Sequence, residues 1–218
     1  MMIYKMVEYI SNIQKVDIEK YEISLMIKNK DRHRINYIQP IIQKCKIVNI
    51  VTDNVSQFDT MKEEMKNNYG IYLNVTGNIE KSLSHSDIII NYDFEPELFE
   101  KCKIPRYAIL FNISKKIKVC YNEFAGINIT DYEIFMPEKY KIGKRILNKF
   151  NLSKVYESII IFNDLVQSQI QKKVEQDNIK LRYLIGNNDK IRCREFINIK
   201  SRKMGKIKIN KRLDKNKE

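Results

Sequence analysis

The chain has 218 residues, enough for one good-sized core with a small appendage. No stretch approaches the roughly 20 consecutive apolar residues that span a membrane. The opening MMIYKMVEYISNIQ carries Glu8 and lacks the compact apolar region of a signal peptide. Cys45, Cys102, Cys120 and Cys193 are scattered, with no CxxC pair and no Cys/His cluster. That pattern argues against a zinc site and for a reduced, cytoplasmic protein.

The net charge of +13 invites a nucleic-acid reading, but its distribution changes the meaning. The chain holds 37 Ile, 31 Lys and 22 Asn, residues with AT-rich codons, so an AT-rich bacterial genome accounts for much of the lysine. Residues 198–218 carry nine basic and two acidic side chains, a net of +7. The rest is a mildly basic domain with a basic tail.

The chain begins with an amphipathic helix, in which Met2, Met6, Tyr9, Ile10 and Ile13 recur at helical spacing. YEISLMIK (21–28) reads as a strand buried on both faces. A helix from Asp31 to Cys45 follows, with Ile35, Ile38, Ile42 and Cys45 on one face and Pro40 expected to kink or divide it. KIVNIVT is the second strand, ending at Asp53. The next helix has Ser56 and Asp59 spaced like a capping box, an apolar stripe of Phe58, Met61, Met65 and Tyr69, and Gly70 at the C-terminal cap. IYLNV is the third strand, a Gly77-Asn78 turn leads into a short helix with Ile79 and Leu83, and DIIINY is the fourth strand. Asp93 is placed to cap a helix containing Leu98, Phe99 and Cys102, and YAILFNI (107–113) is the fifth strand.

Beyond it the pattern loosens. KKIKVCYNEFAG reads as a hairpin or edge segment, and GINITDYEIFM (126–136) as a sixth strand. A basic helix is expected over 138–150 and a second helix over 154–177. IKLRYLI (179–185) alternates weakly, as a last strand does. From Asn198 onward apolar residues are too few for a core, which predicts disorder or ordering on a partner. The chain therefore divides into an N-terminal helical segment (1–20), an α/β domain (21–136), a helical C-terminal extension (137–197) and a basic tail (198–218).

Alternating strands and helices build a doubly wound, mostly parallel Rossmann-like sheet, whose ligands bind at the carboxyl ends of the strands. The residues presented there are Asn29 and Lys30 after strand one, Asp53 and Asn54 after strand two, Thr76 to Asn78 after strand three, Asn91 after strand four and Asn112 after strand five. Asn29, Lys30, Asp53, Asn54, Asn91 and Asn112 are the candidate cofactor-binding residues. Asn and Asp also favour loop starts and helix caps, so the same residues have a purely structural reading.

The order VNIVTDN, helix, IYLNVT, IEKSLSHSDIIINYDF resembles the later part of a Rossmann domain of the shikimate dehydrogenase type. The resemblance covers residues 21–115. It implies a nicotinamide dinucleotide, NAD or NADP, with Asp53 where such folds place the acid for an adenosine ribose and Asn91 in the phrase that ends strand four. The departures matter more. Strand one should run into a Gly-rich turn that lets the backbone approach a pyrophosphate. Here the turn reads KNKDRHR (28–34), with no glycine. Lys28, Lys30, Arg32 and Arg34 offer charge there in place of close backbone approach. Shikimate dehydrogenases keep a catalytic Lys–Asp pair in a preceding domain, and only about 20 residues precede strand one here.

No GxxxxGKS, HExxH or GxSxG string occurs. His33 lies in the basic turn, and His85 in SLSHSD reads as a surface residue at a helix end, since neighbours in sequence rarely face one another in a triad. The expected function is a degenerate nucleotide-binding or regulatory domain without catalysis of its own. The alternatives are weak, non-specific RNA, DNA or anionic-surface binding through the tail, and an NAD(P)-dependent oxidoreductase with an altered phosphate loop. The tail has no aromatic residue for base stacking, so such binding is expected to depend on salt.

Overall fold

The computed structural model describes residues 2–30, 32–95, 97–112, 124–143, 145, 149–162, 167–187 and 189–215. Six parallel strands form the main sheet: β1 (Glu22–Met26), β2 (Ile47–Val51), β3 (Asn74–Thr76), β4 (Ile88–Asn91), β5 (Ile109–Asn112) and β6 (Ile127–Ile129). Their order is β3-β2-β1-β4-β5-β6. That is the Rossmann order, with its reversal between β1 and β4. The α/β Rossmann-like fold expected from the strand–helix pattern is therefore the fold observed.

Both faces of the sheet are covered, which explains the near-continuous apolar strands. Ile23, Leu25, Ile50, Ile88, Ile90 and Phe111 face one core, shared with α1 (Ile3–Gln14), α2 (Arg32–Lys44) and α3 (Asp59–Tyr69). Met26, Val51, Ile89 and Leu110 face a smaller one, closed by Leu83 of α4 (Ile79–Leu83) and Phe99 of α5 (Glu97–Glu100). The period-two alternation of side chains sorts each strand between the two cores. Gly126 is required by close approach: a Cβ there would lie 2.3 Å from the Ala108 carbonyl oxygen.

Several local expectations change. Helix α2 runs through Pro40 as one assigned helix. The Ser56/Asp59 capping box does not form, because a short 3-10 turn (Val55–Phe58) leads into α3 and the Ser56 hydroxyl donates to Asn54 Oδ1 instead. Gly70 does close α3 in a left-handed conformation, at φ 66°. Tyr69 is exposed, so the apolar stripe of α3 ends at Met65. The single strand expected over 126–136 is two strands. After β6 the chain turns at Thr130, whose hydroxyl donates to the Gly186 carbonyl, and β7 (Asp131–Phe135) pairs antiparallel with β8 (Lys180–Ile185). The long helix expected over 154–177 is described as α6 (Leu152–Phe162) and α7 (Gln167–Gln176). The hairpin reading of residues 115–126 falls largely outside the described residues, whereas the helix expected over 138–150 does not begin at 138, since 138–143 are turn and irregular backbone.

Helix α8 (Cys193–Lys215) occupies most of the stretch expected to be disordered. Its first half has what the composition concealed, a small apolar face: Phe196 and Ile199 are buried with α1 in the main core. Its cations also find acceptors. Lys200 Nζ caps α1 at the Gln14 carbonyl (2.6 Å), and the Gln14 side chain returns a bond to the Phe196 carbonyl (2.8 Å). Lys203 Nζ meets the buried Asp87 carboxylate at 2.6 Å. Part of the tail's charge is thus spent inside the molecule.

A second polar centre fastens the C-terminal elements. The Asp177 carboxylate, fully buried, accepts from Tyr140 (2.6 Å), Tyr156 (2.9 Å), Lys173 (3.0 Å) and Lys139. Burial pushes this carboxyl up, but the four donors outweigh it and hold the group well below the usual carboxylate range. Asp177→Asn puts an amide NH2 where either the two tyrosines or the two lysines need an acceptor. It should cost on the order of 3 kcal/mol. A depressed carboxylate stabilises the fold above its unfolded pKa of about 4 and loses that contribution as pH falls towards its folded value. Urea unfolding from neutral pH down through that range should therefore show the wild type losing its advantage over Asp177→Asn as acid is added.

Candidate functional site

In this strand order a ligand is expected at the carboxyl ends of β1 and β4, where the winding reverses. The connection after β4 lies across that position. Asn91 closes it as a side-chain turn: its Oδ1 accepts from the Phe94 amide (3.0 Å) and its Nδ2 donates to the Phe94 carbonyl (2.9 Å). The Tyr92 amide bonds the Met26 carbonyl at the end of β1 (3.0 Å). The Asp93 carboxylate accepts the amide of Lys28, just past β1, at 2.7 Å. Phe94 is buried, and the Lys28 ammonium stands 5.4 Å from the centre of its ring.

The turn after β1 is held from the other side as well. Thr52 Oγ1, past the end of β2, donates to the Lys28 carbonyl (2.9 Å), and the Lys30 amide donates to Gln57 Oε1 (2.9 Å). Two of the amides that a Gly-rich turn would offer to a pyrophosphate are therefore already bound to side-chain oxygens. One of those oxygens is anionic. A phosphate charge within about 4 Å of it meets roughly 4 kcal/mol of repulsion at an effective dielectric of about 20.

The six candidate residues fall into two groups. Asn29, Lys30, Asp53 and Asn54 are exposed on the rim beyond β1 and β2. Asn54 accepts from Ser56, and its amide bonds Thr52 Oγ1. Asn91 and Asn112 are buried and are brought together: Asn91 Nδ2 donates to Asn112 Oδ1 at 3.2 Å. Asn112 Nδ2 in turn donates to Asn128 Oδ1 (2.8 Å), and Asn128 Nδ2 to Asn187 Oδ1. Asn91 and Asn112 are register partners, and Asn128 lies on the same face opposite Leu110. Parallel strands thus stack their amides into a ladder that crosses β4, β5 and β6 and ends on the turn after β8. The side chains of Arg32, His33 and Arg34 lie outside the described residues.

Beside Asn112 a cavity of about 230 Å³ opens at the carboxyl ends of β5 and β6. Sequence reasoning missed its polar lining, which comes from distant segments. Tyr132 on β7 donates to Glu157 on α6 (2.5 Å), and Lys154 bridges Glu157 (3.0 Å) and Asp131 (3.5 Å). Burial first, then the Glu157 carboxylate, pushes the Tyr132 phenol far up. Burial opposes the Lys154 charge, but Glu157 and Asp131 outweigh it and keep the ammonium above its ordinary value. A phenol locked as a donor to a carboxylate is poorly matched to proton transfer near neutrality. The i, i+3 spacing of Lys154 and Glu157 was the one part legible in the sequence. Among the described residues no three His, Cys, Asp or Glu side chains are grouped to hold a metal ion, and no helix is long and apolar enough to cross a membrane. Burial pushes the Cys45 thiol up to about 12, so it is inert.

No family model matches the chain, and no curated protein matches it. Among solved structures, the Thermococcus litoralis Δ1-pyrroline-2-carboxylate reductase in complex with NADH and L-proline shares 10% identity, with a TM-score of 0.32. The overlap covers 56% of this chain and 34% of that one, so the chain matches about a third of the reductase's length.

The amide ladder has a measurable weight. Asn112→Ala leaves the buried Asn128 Oδ1 without its donor and Asn91 Nδ2 with one acceptor fewer, at a cost of about 1–3 kcal/mol. Urea unfolding should show a lower midpoint with an unchanged slope, because the loss lies in the folded state.

Proposed function

We propose that this chain is a degenerate nucleotide-binding-type domain, Rossmann-like in its sheet, that serves a binding or regulatory role without catalysis of its own. The observation that carries the reading is the Asp93 carboxylate on the Lys28 amide at 2.7 Å. It supplies from within the chain the negative charge that a cofactor's pyrophosphate supplies in a working site. The glycine-free turn and the Gln57 oxygen on the Lys30 amide agree with it.

In this reading Asn91 and Asn112 hold the strand ends in register. Asn29, Lys30, Asp53 and Asn54 form the open rim, and Asp53 no longer has a ribose placed against it by a cradled pyrophosphate. An NAD(P)-dependent oxidoreductase with an altered loop needs those amides released. The Tyr132–Glu157 bond supports the non-catalytic reading, since it engages the phenol near the β5 and β6 ends.

The test is a titration of the full chain with NADH, NADPH and S-adenosylmethionine, followed by thermal unfolding, on the wild type and on Asp53→Ala. A ligand at a hundred times its Kd would add about 2.7 kcal/mol of stability. The expected result is no stabilisation that depends on Asp53. A dinucleotide shift present in the wild type and abolished by Asp53→Ala would overturn the proposal. Asp93→Ala supplies the complementary arm: it should lower the melting temperature by several degrees, because the Lys28 amide loses a charge-assisted bond of about 1.5–3 kcal/mol.

A further inference from the structure

The opposite end of the sheet holds an opening larger than the one beside Asn112. A cavity of about 850 Å³ lies at the amino ends of β4, β5 and β6. That is within the range of small-molecule sites, about 300–1,000 Å³. Its lining comes from the turn before β4, the connection into β5, Ala125 before β6, and Arg202 of α8.

The charge of that lining is one-sided. Lys103, Arg106 and Arg202 bring three cations, and among the described residues no Asp or Glu lines the cavity. At the carboxyl-end cavity the cation is paired instead: Lys154 has Glu157 and Asp131. Arg202 is also pre-positioned. Its Nη1 donates to the carbonyls of Ala125 (2.7 Å) and Arg106 (3.4 Å), which orients the guanidinium, and among the described residues its other N–H groups make no hydrogen bond. A fixed guanidinium fork beside further cations is the arrangement that recognises phosphate oxygens. The remaining wall is apolar and includes Pro105 and Tyr107, a surface suited to a ring or short chain and not to a bare anion.

We infer that this amino-end cavity is a binding site for a small phosphorylated molecule, with Lys103, Arg106 and Arg202 taking the phosphate oxygens and the Pro105–Tyr107 wall taking the organic part. It is separate from the carboxyl-end crevice, where the Lys28–Asp93 bond excludes an anion. The basic tail helix then acquires a specific role. It delivers Arg202 to the sheet, while neighbouring Lys203 anchors the helix on Asp87. A domain whose usual phosphate site is closed would take its phosphorylated ligand at the other end of the same sheet.

Isothermal titration calorimetry on the full chain tests this with ADP, pyrophosphate and adenosine as probes. ADP should bind, adenosine should not, and pyrophosphate should bind more weakly than ADP. Lys103→Ala and Arg106→Ala, both at exposed positions, should each weaken ADP by about tenfold without lowering the melting temperature of the free protein. Arg202→Lys, which keeps the charge and loses the fork, should weaken ADP as well. The proposal is overturned if neither ADP nor pyrophosphate binds, or if their affinities are unmoved by Lys103→Ala and Arg106→Ala. ADP binding lost in Asp53→Ala and kept in Arg106→Ala would also overturn it, and would sink the closed-crevice reading with it. Pyrophosphate binding as tightly as ADP would keep the anion site and remove the apolar wall from it. A single-stranded RNA oligomer that displaces ADP and depends on the same residues would overturn it in favour of a strand-binding surface.

Discussion

One hydrogen bond anchors the turn at the carboxyl end of this sheet: the Lys28 amide donating to the Asp93 carboxylate. In a parallel sheet the strand ends at the reversal point leave backbone amides with no ladder partner. A cofactor phosphate satisfies them in a working dinucleotide site. Here the chain satisfies them itself, with Asp93 from one side and Gln57 from the other. The two solutions compete, because the anion that stabilises the turn repels a second one. Once the amide is taken by a carboxylate, glycine in the turn has nothing to admit, and KNKDRHR is a permitted sequence.

The same logic runs through the polar interior. At the ends of β4, β5 and β6 the buried side chains that must find polar partners are asparagines. The ladder from Asn91 through Asn112 and Asn128 to Asn187 ties three strands of the main sheet to the turn after β8. A shorter pair, Asn74 Nδ2 to Asn49 Oδ1 at 2.7 Å, links β3 and β2 further back. Register fixes these contacts, since a slip of one residue would turn each amide to the opposite core. The abundance of asparagine that suggests codon bias thus also serves the fold, at least where the amides stack.

Charge is redistributed by the tertiary structure in a comparable way. Lys200, Arg202 and Lys203, counted as a basic tail, are an α1 cap, a fork fixed on two carbonyls and a partner for buried Asp87. The buried carboxylate Asp177 draws two lysines and two tyrosines from separate segments. A surplus of positive charge therefore gathers at the amino ends of β4 to β6, where Asp87 pairs with Lys203 and Lys103, Arg106 and Arg202 line the cavity.

The sequence by itself determined the strands, their order along the chain and their burial on both faces, because continuous apolar runs between helical periods leave a parallel sheet as the economical packing. It also showed that the turn after β1 lacks glycine, a purely local fact. Only the tertiary structure decided the split of 126–136 into two sheets, since the antiparallel partner of β7 lies some fifty residues away. It also decided the course of 193–215 as a helix, through the contact of Phe196 and Ile199 with α1. The candidate site divides along the same line. Asn29, Lys30, Asp53 and Asn54 stand where strand ends put them, while Asn91 and Asn112 were recognisable as strand-end residues but not as partners of each other. Period and composition report how one segment meets an average environment. Which acceptor a given amide finds, Asp93 for Lys28 above all, depends on segments brought together in space.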